Sequence, residues 1–192
     1  MIKKNIILDL DQTIISSEDY GEYNPKTNPK KDSKFTHYDM EGCYMVFERP
    51  GLQSFLDYLF SKYNVSIWTA ASKDYATFII DKIILTKPDR KLDWVFFSYH
   101  CDISEEHTGN TKDLSILQDV FNINTFSKDN TIIIDDYDEV YNTQKDNCVI
   151  AVPFEYSKRN SHKDKFLYEL RDVLDNHFTD KKPAKSINKA LQ

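Results

Sequence analysis

Cysteine is scarce here. Cys43, Cys101 and Cys148 are odd in number, far apart in 192 residues, and contain no CxxC pair. That pattern excludes a disulfide framework and points to reduced thiols in a nuclear or cytoplasmic setting, not a secreted one. No apolar run is long enough to span a bilayer. No signal peptide is visible, because Met1-Ile2-Lys3-Lys4 runs straight into the first apolar stretch. No membrane partner is therefore expected. There is no internal repeat. A basic excess is also missing: 25 Lys and Arg against 31 Asp and Glu leave a net charge of -6. This argues against a nucleic-acid backbone as partner. Phosphorylated substrates stay open, since they need only a local cationic spot. Oligomeric state is not legible.

What is present begins with Ile6-Ile7-Leu8-Asp9-Leu10-Asp11-Gln12-Thr13. In an extended strand, positions two apart share a face. Asp9 and Asp11 thus start on one side, at the carboxyl end of a buried strand, where open α/β sheets bind ligands. Two carboxylates so close repel each other unless a cation or a shared proton offsets the charge. Taken alone, the stretch reads equally well as a strand running into an acidic turn.

The rest of the chain alternates strand and helix. Tyr20 to Lys34 is loop chemistry, rich in Asn, Pro, Lys and Asp. Its lysines, Lys26, Lys30, Lys31 and Lys34, serve solubility or give a cationic edge to a segment hanging over the aspartates. Tyr44 to Phe47 closes the excursion as a short strand. Pro50 suits a first helical turn, and Leu52, Phe55, Leu56, Leu59, Phe60 and Tyr63 follow at helical spacing. Val65 to Thr69 is a strand. Ser72 caps a helix from Lys73 to about Leu85. Trp94 to Tyr99 reads as a strand and Asp102 to Asn110 as a loop delivering Lys112 to a helix start. Thr131 to Ile134 is a β-branched strand ending in Asp135-Asp136. Cys148 to Val152 is a further strand, and a helix runs from about His162 to Phe178. The alternation predicts an α/β fold with parallel strands and right-handed crossovers.

Four polar endpoints now stand in order: Asp9/Asp11, Thr69, Lys112 and Asp135/Asp136. Singly, each reads as an ordinary strand end, solvated lysine or acidic turn. Jointly, they fit phosphoryl transfer through a covalent aspartyl phosphate. A carboxylate is a competent nucleophile toward phosphorus. A second carboxyl protonates the leaving oxygen and then takes a proton from water. Hard oxygen ligands suit Mg²⁺. A hydroxyl and a lysine, the latter joined by free backbone N–H groups at a helix start, hold the equatorial oxygens.

These residues resemble the four ordered motifs of the haloacid dehalogenase superfamily of phosphatases. Glu48-Arg49-Pro50-Gly51, Trp68-Thr69-Ala70-Ala71-Ser72, Tyr99-His100-Cys101 and Gly109-Asn110-Thr111-Lys112-Asp113-Leu114 resemble one branch of it. That branch comprises the RNA polymerase II carboxy-terminal-domain phosphatases and Nli-interacting-factor-like proteins, and the likeness runs from about Lys4 to Phe178. The resemblance implies Asp9 as nucleophile and Asp11 as general acid/base. It implies Mg²⁺ on Asp9, Asp11 (through its carbonyl), Asp135 and Asp136, and Thr69, Ala70 and Lys112 around the phosphoryl group. It also implies a Rossmann-like three-layer fold with a central, mainly parallel sheet and no large cap. Residues 1–178 would form one catalytic domain with a small β insertion within 94–110, and 179–192 a flexible tail.

The function so implied is that of a Mg²⁺-dependent phosphoserine/phosphothreonine phosphatase acting on polymerase C-terminal-domain-like phosphopeptides. The alternatives are a non-catalytic binding module on the same fold, or a phosphatase of small phosphomonoesters or nucleic-acid ends. The sequence departs from the branch at Gln12, where Glu is usual, and at Asp135-Asp136, where the small phosphatases carry Asp-Asn. The stretch Gly21–Tyr38 has no counterpart. His100, Cys101 and His107 fit no zinc spacing and read as packing and loop residues. Lys181-Lys182-Pro183 is too weak to choose between nucleus and cytoplasm.

Overall fold

The computed structural model of the chain describes residues 3–24, 26, 28–178 and 183–192. Lys181 and Lys182 lie outside the described residues. A five-stranded sheet is built from β1 (Asn5–Leu8), β5 (Asn64–Trp68), β6 (Leu92–Phe96), β7 (Thr131–Asp135) and β8 (Cys148–Ile150). Its order is β6-β5-β1-β7-β8 and every pairing is parallel. A second, antiparallel sheet of β2 (Ile15–Asp19), β3 (His37–Met40) and β4 (Tyr44–Glu48) has the order β2-β4-β3.

Side-chain alternation divides the core. Ile6, Leu8, Val65, Ile67, Ile132 and Ile134 point to one face of the large sheet. They pack on α2 (Leu52–Lys62), α3 (Lys73–Ile79) and α7 (Phe166–His177). Ile7, Trp68, Ile133 and Cys148 point the other way. They meet α4 (Ser98–Thr108), α5 (Ser115–Asp119) and α6 (Asp138–Thr143). Both faces are covered, which is why the central strands read as unbroken apolar runs. The small sheet has its own aromatic cluster, in which Phe47 stacks on Tyr156 with ring centres 3.7 Å apart. Burying one such ring contributes about 1.5–3 kcal/mol.

Several expectations shift. The small β element occupies 15–48, while residues 94–110 hold the end of β6 and all of α4, so the insertion is not where it was expected. Asp102–Asn110 is accordingly mostly helix. Its polarity masked this, since only Cys101 and Ser104 of α4 are buried. The Tyr20–Lys34 excursion includes a turn of helix, α1 (Pro29–Asp32), tied down by the buried carboxylate of Asp32, which accepts the hydroxyls of Tyr23 at 2.8 Å and of Tyr156. Pro50 stays outside α2, whose N-cap is Gly51. Gly51 has φ 85°, in the left-handed region that favours glycine, and a Cβ there would lie 2.6 Å from the Tyr168 ring, which would have to move. α3 ends at Ile79 and continues as a wide π turn, Ile80–Ile84, with Leu85 N–H donating to Ile80 O at 2.8 Å. Residues expected to be a flexible tail form α8 (Pro183–Ala190), which buries Ala184 and Ile187. Among the described residues no helix is long and apolar enough to cross a membrane.

Candidate active site

Strand register assembles the site. Leu8 pairs with Ile67 on one side and Ile134 on the other. The residues that follow, Asp9, Trp68-Thr69 and Asp135-Asp136, therefore emerge at one edge, and Asp9 N–H donates to Ile134 O at 3.0 Å. A cavity of about 460 Å³ opens there, lined by Asp9, Asp11, Thr69, Ala70, Lys112, Asp135 and Asp136 among others. Every candidate site residue from the sequence lines this one space. A larger concavity, about 700 Å³, lies elsewhere around Gln144 and Asn147. It gathers none of these groups, so size does not identify the site.

Lys112 stands at the centre. Its Nζ donates to Asp9 Oδ1 at 2.6 Å and to Asp135 Oδ2 at 2.7 Å, with all three side chains buried. Burial alone pulls the ammonium down, but the charges of Asp9 and Asp135 outweigh it and the net direction is up. Lys112 sits at φ 49°, in the left-handed region that non-glycine residues avoid. Gln144 brackets that turn, donating to Lys112 O at 2.8 Å and accepting from Leu114 N–H at 3.0 Å.

The expected free amides are not there. α5 begins at Ser115, three residues on, and the N–H groups of Asp113, Leu114 and Ser115 are bonded by Ser104, Gln144 and Asp113 side chains.

Carboxylates crowd the remainder. Asp9, Asp135 and Asp136 each offer an oxygen within 4.8 Å of the others. Asp136 is raised by burial and then by the charge of Asp9, although Thr13 donates to it at 3.1 Å. Asp135 is likewise raised by burial and by Asp9, with Lys112 and the Tyr137 N–H opposing. Three hard oxygen donors and one ammonium leave an excess of negative charge that a divalent cation would offset, so the donor set fits a metal such as Mg²⁺. Asp11 is not part of that three-carboxylate group. Its carboxyl, pushed up to about 6 chiefly by burial, is held by Tyr75, whose hydroxyl donates to Asp11 Oδ1 at 2.5 Å.

Thr69 is buried, and its Oγ1 accepts from Ala71 N–H at 3.0 Å, which leaves its own proton to donate. Cys101 packs beneath it with Sγ 3.7 Å from Thr69 O. His100 accepts Phe97 N–H at 2.9 Å and so caps α4; neither residue is in a loop. Gln12, at φ 59°, clamps the turn through its backbone, donating to Ile15 O and accepting from Phe154 N–H. None of Lys26, Lys30, Lys31 and Lys34 lines the cavity. Tyr75, Gln144 and Thr13 support the site without having been singled out. Tyr75 lies four residues before Ile79 on the buried stripe of α3, where an aromatic reads as packing.

Comparison with known proteins gives a consistent result. The family model of the NLI interacting factor-like phosphatases matches residues 4–184. The chain is 43% identical over 179 residues to CTD phosphatase-like protein 355R of Invertebrate iridescent virus 6, covering 91% of this chain and 98% of that one. The counterpart in Invertebrate iridescent virus 3 is 39% identical over 180 residues, covering 90% and 96%. Among solved structures, Fcp1, described as an essential RNA polymerase II CTD phosphatase, superposes with a TM-score of 0.65 at 22% identity. That match covers 92% of this chain and spans 62% of the Fcp1 chain.

Proposed function

The chain belongs to the NLI interacting factor-like phosphatase family, on the haloacid dehalogenase fold, and on that footing we propose a Mg²⁺-dependent phosphoserine/phosphothreonine protein phosphatase that works through an aspartyl phosphate. The observation that carries this reading is Lys112 Nζ bridging Asp9 and Asp135 inside a cavity that Thr69 and Asp136 also line.

In this reading Asp9 attacks phosphorus while the bond from phosphorus to the serine or threonine oxygen breaks. Asp11 gives its proton to that departing oxygen. A carboxyl raised to about 6 is suited to do this and then, as carboxylate, to take a proton from the attacking water. Water adds to phosphorus, the acyl phosphate bond breaks, and inorganic phosphate leaves with Asp9 restored. Lys112 and the Thr69 hydroxyl, with Ala70 beside it, bind the phosphoryl oxygens where charge gathers. Asp9, Asp135 and Asp136, with Asp11 contributing its carbonyl, would hold Mg²⁺, which offsets the negative charge of both site and phosphate.

A protein substrate is supported by the architecture. The insertion is a small sheet, and among the described residues no large cap separates the cavity from solvent as small metabolites usually require. The test is phosphate release from a serine-phosphorylated polymerase heptad peptide and from an aryl phosphate, with Mg²⁺ and with chelator. Mg²⁺-dependent turnover favouring the peptide is expected. Full turnover by Asp9→Asn, a change that removes the nucleophile and little volume, would overturn the mechanism.

A further inference from the structure

The protein is acidic, yet one concave surface is strongly basic. A cleft of about 520 Å³ between α1 and residues 159–162 is lined by Lys30, Lys31, Lys34, Arg159 and His162, and among the described residues no carboxylate lines it. Lys30, Lys34 and Arg159 are exposed. Lys31 is held in place, donating to Ser157 O at 2.8 Å and Lys158 O at 3.3 Å with its Nζ 4.4 Å from the centre of the Tyr156 ring. Of the nearby acids, Glu18 faces Lys31 and partly offsets its charge, while two others are engaged elsewhere. Asp32 turns inward to Tyr23 and Tyr156, and Glu155 pairs with Lys158 at 2.7 Å. The cations feel one another: besides burial, Lys34, Lys163 and Lys31 hold His162 below its ordinary value. Lys30, Lys31, Lys34 and Arg159 thus outnumber the one carboxylate that faces them, and a bound anion relieves the remaining repulsion.

The cleft and the catalytic cavity share no lining residue, but the chain that separates them is short. Phe154 N–H donates to Gln12 O at 2.7 Å, Gln12 lines the cavity, and Tyr156 N–H donates to Ser16 Oγ at 3.0 Å. From Phe154 to Arg159 is five residues, at most about 18 Å of extended chain. Further anionic groups on a substrate are unwelcome in the cavity itself, which Asp102, Glu105 and Glu139 line along with the four aspartates.

We propose that this cleft binds an acidic or phosphorylated stretch of the same substrate chain whose phosphoresidue enters the catalytic cavity. The proposal rests on the phosphoprotein-phosphatase reading above. A membrane surface fits less well. The basic surface is concave, and none of the exposed large apolar residues (Trp94, Tyr99, Tyr137, Val152 and Tyr168) lines it.

The experiment compares two phosphoserine peptides, one with neutral flanks and one with an acidic run about five to eight residues from the phosphoserine, placed on either side. The full chain and its Lys30→Glu/Lys34→Glu/Arg159→Glu variant are assayed on both peptides and on an aryl phosphate. The wild type is expected to prefer the acidic peptide by about tenfold in kcat/KM, through KM, with the preference fading in high salt. The variant should lose the preference and keep its aryl phosphate turnover, which also reports that it is folded. No preference in the wild type, or one that survives the triple change, overturns the proposal.

If neither peptide is turned over, fluorescence anisotropy of the labelled acidic peptide separates the two ideas. Tight binding lost in the variant keeps the cleft and removes the phosphatase reading; equal binding by both proteins removes the cleft. Vesicles containing phosphatidylserine provide the last arm. Sedimentation of the wild type but not the variant, with peptide kinetics unmoved, assigns the cleft to lipid headgroups and overturns the proposal.

Discussion

Tyr75 donates its hydroxyl proton to Asp11 Oδ1, and Ser17, from the small sheet, bonds the same phenol oxygen. Tyr75 and Ser17 together hold the Asp11 carboxyl at the mouth of the cavity, oriented to carry a proton to a leaving group. Tyr75 is a positioning residue in this view. Tyr75→Phe should slow single-turnover phosphoryl transfer from a phosphoserine peptide by about tenfold with little change in KM. An activated aryl phosphate, whose leaving group needs no proton, should be affected much less. Equal losses on both substrates would count against the assignment.

Among the described residues that line the catalytic cavity, Lys112 is the sole cation. Lys112→Met leaves Asp9 and Asp135 buried and facing each other, so activity should vanish. Stability in chelator should fall by about 3–5 kcal/mol. Mg²⁺ should then raise the melting temperature more in the variant than in the wild type, because the bare carboxylates gain more from a cation. Thermal melts with and without Mg²⁺ measure this, and identical Mg²⁺ shifts in the two proteins would refute it.

Arg49 ties the loop after Asp11 to a distant part of the chain. Its Nε and Nη2 bond the two oxygens of Asp164 at 2.8 and 2.9 Å, and Nη1 donates to Thr13 O at 2.9 Å. The guanidinium also lies 4.4 Å from the centre of the Phe166 ring. Lysine keeps the charge but not the planar fork. Arg49→Lys should lower the urea midpoint by the equivalent of about 2–3 kcal/mol at unchanged m-value. A loss within experimental scatter of zero would mean the fork is dispensable.

Glu48 supplies a pH test away from the catalytic carboxylates. Its carboxyl is raised from 4.5, chiefly by burial, although Tyr38, Gln53 and the Arg90 charge oppose this. A carboxyl raised on folding favours the folded state while protonated. Its contribution is complete below pH 4.5 and is lost as pH rises through the folded value. Glu48→Gln, whose amide oxygen can still accept from Tyr38, should therefore melt higher than the wild type at pH 7 and no higher at pH 4. A constant difference across that range would rule out the titration as its source.

The carboxylates and Thr69 of the candidate site were legible because each sits at the end of a strand with a strong local signature. Apolar runs announced β1, β5 and β7, and parallel pairing leaves their polar ends at one edge. What stayed hidden depends on particular side-chain contacts that no apolar pattern announces, some local and some far apart in sequence. α4 carries a polar sequence and is set by His100 closing its first turn and by Ser104 bonding Asn110 O and Asp113 N–H. The helix in the lysine-rich excursion depends on a buried Asp32 whose partner Tyr156 is 124 residues away. Lys112 was found, but its left-handed backbone depends on Gln144, which no local pattern singles out.

The amide of Asn188, on the last helix, donates to Cys148 O at 2.9 Å and accepts from Ile150 N–H at 3.1 Å, the outward-facing groups of β8. One side chain thus stands in for a neighbouring strand and blunts an edge that could template pairing with another molecule. Self-association through the large sheet is left to the opposite border, where β6 displays Asp93 and a half-exposed Trp94.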